Sequence, residues 1–393
     1  MYQSVASVAP SIDGLVLAEI GAILIFLGLA ALLATALRFS VVPIFLLSGL
    51  AFGEGGVVPL KLSDNFLTLG AQMGAILLLL LLGLEYSAAE LIGGVKERKS
   101  LGIIDLVLNF LPGALLAIAL GWGYVGAMAL GGITYVSSSG IASQFIRDGQ
   151  LQKMGSTKKA IGILVVEDLF LAPYLPILSA VISSIGVITG LMTISVALVI
   201  TGAVLLFSAR GGHIPHTRLM LDDSTTLLLT VFGSTLLAAG LATYIGFSGA
   251  VAAFLVGLLL TGDVAIVARV RLAPLRDLFA AIFFLFFGLR TDPAEIPPVL
   301  IISLLLAAVG IFTKYLTAKW AARNSNDSVM AIAALLIPRG EFSIVIAGLT
   351  STLAFNDRLQ AITITYVLAT TIFGSILIRK LGKNSNTKVG GKY

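Results

Sequence analysis

Cysteine is absent from all 393 residues, so the chain holds no disulfide, thiolate metal site or cysteine nucleophile, and it carries no mark of a redox compartment. Histidine is nearly absent. His213 and His216 stand together beside Arg218, Asp222 and Asp223, where they read as solvated loop residues, and a zinc protease site of the HExxH kind has nothing to be built from. Charge is scarce as well: 11% of residues are Asp, Glu, Lys or Arg against 58% hydrophobic, with a mean hydropathy of +1.05. So little polar surface cannot coat a water-soluble globule, which excludes a soluble enzyme domain. Residues 1–12 contain no Lys or Arg and the first apolar run, Gly14 to Leu37, is a full span, so no cleavable signal peptide is expected.

What the chain does have is apolar stretches, each near the roughly 20 residues that cross a ~30 Å hydrocarbon layer. About thirteen are expected, at 14–37, 40–53, 65–84, 101–121, 124–146, 159–184, 187–208, 224–243, 246–262, 273–289, 299–321, 328–354 and 360–379. The reading is an all-α polytopic membrane protein. Basic residues test this count independently. Alternate loops and the tail, from Arg38 and Lys96 through Arg147, Lys159, Arg210 and Arg276 to Lys319 and Lys392, hold 20 of the 25 Lys and Arg; the opposite loops hold Lys61, Arg290 and Arg358. The net charge of +5 is therefore a positive-inside bias and not a nucleic-acid patch, with the N-terminus outside and the C-terminus cytoplasmic. The basic tail, 381–393, suits anionic lipid headgroups.

An internal repeat follows. LLLLLGLEYSAAEL around Gly83 matches FFLFFGLRTDPAEI around Gly288, 205 positions later, and a similar offset relates LLSGLAFGEG to FLVGLLLTGD. Spans 2–6 thus correspond to spans 9–13 as two five-helix repeats, and the odd separation of seven helices inverts one against the other. The fourth element of each repeat is interrupted at a matching place, by Thr134 to Gly140 in one and by Ile337 to Ser343 in the other. Pro338 removes a helix donor, and Gly140 and Gly340 loosen the backbone, so two discontinuous helices are expected to cross near the bilayer centre.

Ionisable residues at membrane depth are rare and usually functional. Five stand out: Glu167, Asp168, Lys314, Arg339 and Glu341. Glu19 and Asp105 lie nearer span ends, where they are expected to reach interfacial water. The five hold one more acid than base. A surplus carboxylate in a low-dielectric cavity must take up a proton or a cation, since the bare anion is too costly to desolvate. Asp168 is the candidate for this exchange and for binding the monovalent cation, with oxygens of Thr134, Ser137, Ser138 and Ser139 completing a hard shell. Glu167, about 100° around the same helix, is placed to pair with Lys314. Arg339 and Glu341 flank the second break as supporting charges that hold unwound backbone and oppose helix dipoles.

The segments VVEDLFLAPYLPIL (165–178), ITYVSSSGIA (133–142), APLRDLFAAIFFLFFGLRTDP (273–293) and PRGEFSIVIA (338–347) together resemble the monovalent cation:proton antiporter-2 family, most closely its potassium/proton antiporter transmembrane subunits, over essentially the whole chain. The resemblance implies a Na+/H+ antiporter-like fold and a homodimer. In it, 14–64 and 187–262 are mainly dimerisation scaffold, and 65–184 and 273–380 are mainly an elevator-like ion-transporting core. It further implies that Asp168, second of the acid pair, carries the ion, that the Glu167 position varies among Asp, Asn, Gln and Glu, and that a lysine at Lys314 accompanies electrogenic exchange. Many relatives continue into a cytosolic nucleotide-binding domain; none is expected here, so regulation is expected to fall to a separate cytosolic subunit.

The expected activity is secondary exchange of K+ for protons in a bacterial plasma membrane, with no cofactor, K+ or Na+ and H+ being the transported species. The alternatives are Na+/H+ exchange and a regulated potassium efflux channel; the latter would need a carbonyl filter such as TVGYG, which the sequence lacks. An intramembrane protease would need a histidine within the membrane.

Overall fold

The computed structural model describes residues 14–37, 39–53, 55–57, 64–85, 88–148, 151, 154–183, 199, 203, 223–244 and 248–389. Apart from residues 199 and 203, span 187–208 and the loop with His213 and His216 lie outside the described residues. The helices in the first half are α1 (Gly14–Leu37), α2 (Val41–Phe52), α3 (Asp64–Glu85), α4 (Ala88–Ala119), α5 (Gly123–Tyr135), α6 (Ser139–Asp148) and α7 (Gly155–Ser183). The second half has α8 (Ser224–Tyr244), α9 (Gly249–Leu259), α10 (Gly262–Arg290), α11 (Ile296–Ala322), α12 (Val329–Leu336), α13 (Glu341–Leu349) and α14 (Asn356–Val389). With α5 and α6, and α12 and α13, each taken as one interrupted span, ten described spans are long and apolar enough to cross a membrane, and α2 and α9 are shorter.

Two helices begin well before their apolar runs. α4 starts at Ala88 where hydropathy placed the span at 101, and α10 starts at Gly262 where it placed 273. Hydropathy ends a span where Lys96 to Lys99, or Arg269 and Arg271, enter the sequence; the backbone continues helical through both stretches.

The inverted repeat is visible in how its glycines meet. Repeat-related α2 and α9 both open on a serine that caps the helix: Ser40 accepts the Val42 N–H and Ser248 the Val251 N–H. α2 packs on α10, where a Cβ on Gly49 would lie 2.2 Å from the Leu285 carbonyl oxygen and 2.7 Å from the Gly288 Cα. α9 packs on α3 in the same way, a Cβ on Gly257 lying 2.4 Å from the Leu80 oxygen and 2.8 Å from the Gly83 Cα. Gly83 and Gly288 are the pair matched in sequence, so each repeat lends the glycine of its second span to the short helix of the other. Small residues let backbones touch where burial of apolar surface gives no drive within lipid. Gly257→Val and Gly288→Val should each destabilise the fold by about 1–3 kcal/mol through overpacking, and melting in detergent should show near-equal losses for these related sites.

Two bundles result. α2, α3, α9 and α10 pack chiefly on one another, with α1 against α2 and α8 against α9. α4, α5, α7, α11, α12, α13 and α14 pack chiefly as a second group. Segments 65–85 and 273–290, grouped with the core on sequence, sit in the first bundle. The second bundle is tied across its repeats at both ends. Trp122 stacks on Phe355 with ring centroids 4.9 Å apart, and Lys159 Nζ lies 3.1 Å from Asp327 Oδ2. Ser325 and Lys159 hold the Asp327 carboxyl below the usual carboxylate range.

Candidate functional site

The two interruptions fall at Val136 to Ser138, between α5 and α6, and at Ile337 to Gly340, between α12 and α13. They cross in contact: Ser138 N–H donates to the Pro338 carbonyl at 2.9 Å, and Ser343 Oγ to the Ile133 carbonyl at 2.9 Å. Gly340 is required by space, since a Cβ there would lie 2.7 Å from Ser138 Oγ. Breaking a helix in a membrane leaves backbone groups that only protein can satisfy. Side chains of opposite sign do so here. Arg339, fully buried, donates through Nε and Nη2 to the Thr134 carbonyl (3.2 and 2.9 Å) and through Nη1 to those of Leu336 and Ile337 (2.8 and 3.1 Å). Its cation thus meets the negative C-terminal ends of α5 and α12. Carboxylates meet the opposite ends. Glu167 Oε2 accepts the Ser137 N–H at 2.5 Å, and Glu341 accepts the Gly140 N–H at 3.3 Å and the Ser138 hydroxyl at 2.7 Å.

Behind the crossing lies a buried ammonium shared by two acids. Lys314 Nζ is 2.9 Å from Glu167 Oε1 and 2.9 Å from Asp105 Oδ1. Lys314 and Glu167 have no exposed surface and Asp105 has 1%. The Glu167 to Lys314 pair is the one expected from helix position. Asp105 corrects the sequence reading: it is not an interfacial residue, because α4 begins thirteen residues earlier than its apolar run and carries Asp105 into the middle of the bundle. Its Oδ1 also accepts from Asn109 Nδ2 (2.9 Å) and Thr317 Oγ1 (3.0 Å), and Thr313 donates to Asn109 Oδ1 (2.8 Å). Asp105 and Asn109 on α4, and Thr313 and Thr317 on α11, are four apart, so each pair forms a polar stripe on an apolar helix. That four-residue spacing is the sequence signal that could have revealed the network, and the sequence reading did not use it.

Asp168, next to Glu167 on α7, is 1% exposed. The fully buried charges among the described residues are thus Asp105, Glu167 and Asp168 against Lys314 and Arg339. One more acid than base remains, though Asp105 takes the place that the sequence reading gave to Glu341. The Thr134 hydroxyl donates to the Asn109 carbonyl at 2.9 Å, and its own carbonyl accepts from Arg339 and from Tyr366 Oη. Ser137 Oγ contacts Glu167, Leu336 and Arg339. Ser138 Oγ serves Glu341 and caps the Ile141 N–H. Ser139 lines an open cavity of about 960 Å3 between the two bundles, as do Gly140 and Glu341, with Arg147, Arg269 and Arg276 also on its wall.

Apolar helices long enough to cross a membrane, two broken helices in contact, and one more buried acid than base among the described residues define an ion-translocating membrane protein of inverted-repeat architecture. Residues 22–383 match the family model described as "Sodium/hydrogen exchanger, transmembrane", and the chain belongs to that family of cation:proton antiporters as a multi-pass integral membrane protein. It is 28% identical to the K(+)/H(+) antiporter subunit KhtU of Bacillus subtilis (strain 168) over 376 residues, 92% of each chain. It is 27% identical to the ammonium/H(+) antiporter subunit AmhT of Alkalihalophilus pseudofirmus over 95% of each. Among solved structures, the sodium proton antiporter MjNhaP1 of Methanocaldococcus jannaschii superposes with a TM-score of 0.67 at 20% identity, over 93% of this chain and 99% of that one. The likeness establishes a common fold.

Proposed function

We propose that this chain exchanges a monovalent cation, K+ before Na+, for protons by alternating access, with cation and proton competing for Asp168. The observation that carries the reading is the buried imbalance of charge among the described residues, three acids against two bases. An excess buried anion is too costly to leave bare, so each occupant displaces the other, and coupling follows if only loaded states cross. K+ is favoured by the KhtU match, which extends over nearly the full length of both chains. The packing supports an elevator in which α4–α7 and α11–α14 move against α1–α3 and α8–α10, the latter also serving as the homodimer face. Positive-inside bias supports a cytoplasmic position for the basic loops, and Arg147, Arg269 and Arg276 on the cavity wall support the same side for its mouth. KhtU and AmhT are both named as subunits, which supports a separate cytosolic regulatory partner.

A pH-sensitive dye in proteoliposomes, with K+, Na+ and Li+ added in turn, tests the exchange and its ion together. Proton flux is expected with K+ at the lowest concentration; a flux that prefers Na+ would replace the ion, and no flux with any of them would reject exchange. Glu167→Gln should retain exchange, because Asp105 still compensates Lys314, but with a shifted pH profile and about 1–3 kcal/mol less stability from the weakened charged hydrogen bonds. Wild-type melting and pH profile in that variant would contradict the role given to the pair.

A further inference from the structure

The cavity has a chemistry separate from Asp168. Its core-side wall is one face of α6, on which Ser139, Gly140, Ser143, Gln144 and Arg147 recur at three- and four-residue spacing. Glu341, in the first turn of α13, meets that wall at the crossing, where its carboxylate holds Ser138 and Gly140. Charges elsewhere on the lining cancel in pairs: Arg269 lies 2.9 Å from Glu85 and Arg276 2.7 Å from Asp277. Arg147 is in the last turn of α6, about 10 Å along the axis from Gly140. An ion that has passed the apolar walls therefore meets the Glu341 carboxylate at the inner end. Among the described residues no three acidic or histidine side chains converge as a divalent metal would need. One carboxylate on a lining that also carries the Ser139 and Ser143 side chains matches a singly charged hard cation that keeps part of its water.

We propose that Glu341, with the hydroxyls of Ser139 and Ser143, forms a staging site for the monovalent cation at the inner end of the cavity, filled before transfer to Asp168. The inference rests on the antiport reading and adds a second cation site to it. The carboxylate, itself in the first turn of α13, already accepts two hydrogen bonds at the N-terminal end of α6, which oppose part of its charge. Its hold on a cation is therefore partial, as transit demands: strong enough to fill, weak enough to empty.

Two arms test it in the full chain. In vesicles of defined orientation, Glu341→Gln should raise the KM for K+ supplied on the cavity side about tenfold, the effect of losing one charge-assisted contact, with the maximal rate within about twofold. The KM from the opposite side should not move, and Glu341→Asp should restore most of the loss. Equal impairment from both sides, or a lower maximal rate at unchanged KM, would overturn the proposal. The second arm uses the absence of native cysteine. Gln144→Cys, beside the site, should react with a membrane-impermeant thiol reagent from the cavity side, and saturating K+ should slow that reaction at least about threefold. The slowing should vanish when Glu341→Gln is added. Protection without exchange in the parent protein would sink the antiport reading and leave the cation site; exchange without protection would sink the staging site alone.

Discussion

Asp168→Asn is expected to abolish cation-driven proton movement in proteoliposomes, down to the level of protein-free liposomes, while the protein still purifies as a folded species. The substitution keeps shape and removes charge. An amide at this position neither takes up the proton nor balances a cation, whereas Glu167 is held by Lys314 and the Ser137 N–H and is not the exchanging group. Nothing then remains for the two occupants to contest. Because the surplus anion is itself a burden on the fold, the variant should melt no lower than the parent. Exchange retained in Asp168→Asn would refute the assignment.

The second large effect is on stability. Lys314→Met removes the one ammonium between Asp105 and Glu167 and leaves two buried carboxylates facing the gap. Breaking a buried ion pair by deleting one partner costs about 3–5 kcal/mol, because the other charge stays desolvated. The ring of Tyr135, 5.5 Å from Nζ, offers the carboxylates nothing in return. Adding Asp105→Asn to Lys314→Met should recover a substantial part of the loss, since the amide keeps an acceptor for Thr317 and Asn109 without the charge. A thermal-melt double-mutant cycle reads this directly: a coupling energy well above zero is expected, and strict additivity would separate Asp105 from Lys314 energetically.

The fold was largely legible in the sequence because its main constraints are local and chemical. Pro338, Gly340 and the Ser137 to Ser139 run mark where the helices fail, and Gly83 and Gly288 mark the repeat because backbones touch there. The pairing of Glu167 with Lys314 follows from their helix positions and the cost of burying either alone. Asp105 was not legible as a core residue. The Lys96 to Lys99 run looks like a helix end, and hydropathy has no means of showing a helix that continues through it. The partners of Arg339 were hidden for another reason: they are backbone carbonyls of Thr134, Leu336 and Ile337, which have no side-chain signature. The cavity depends on how two bundles separate, and Glu341 changes from buried charge to wall residue only when that gap is seen.

The central claim is that proton and cation compete for one carboxylate, and proton release on cation binding tests it most directly. Purified protein in weakly buffered detergent, titrated to saturation with K+ at a pH where the site is protonated and followed with a pH dye, should release about one proton per chain. Asp168→Asn should release none. Cation binding without proton release, or release undiminished in Asp168→Asn, would contradict the account.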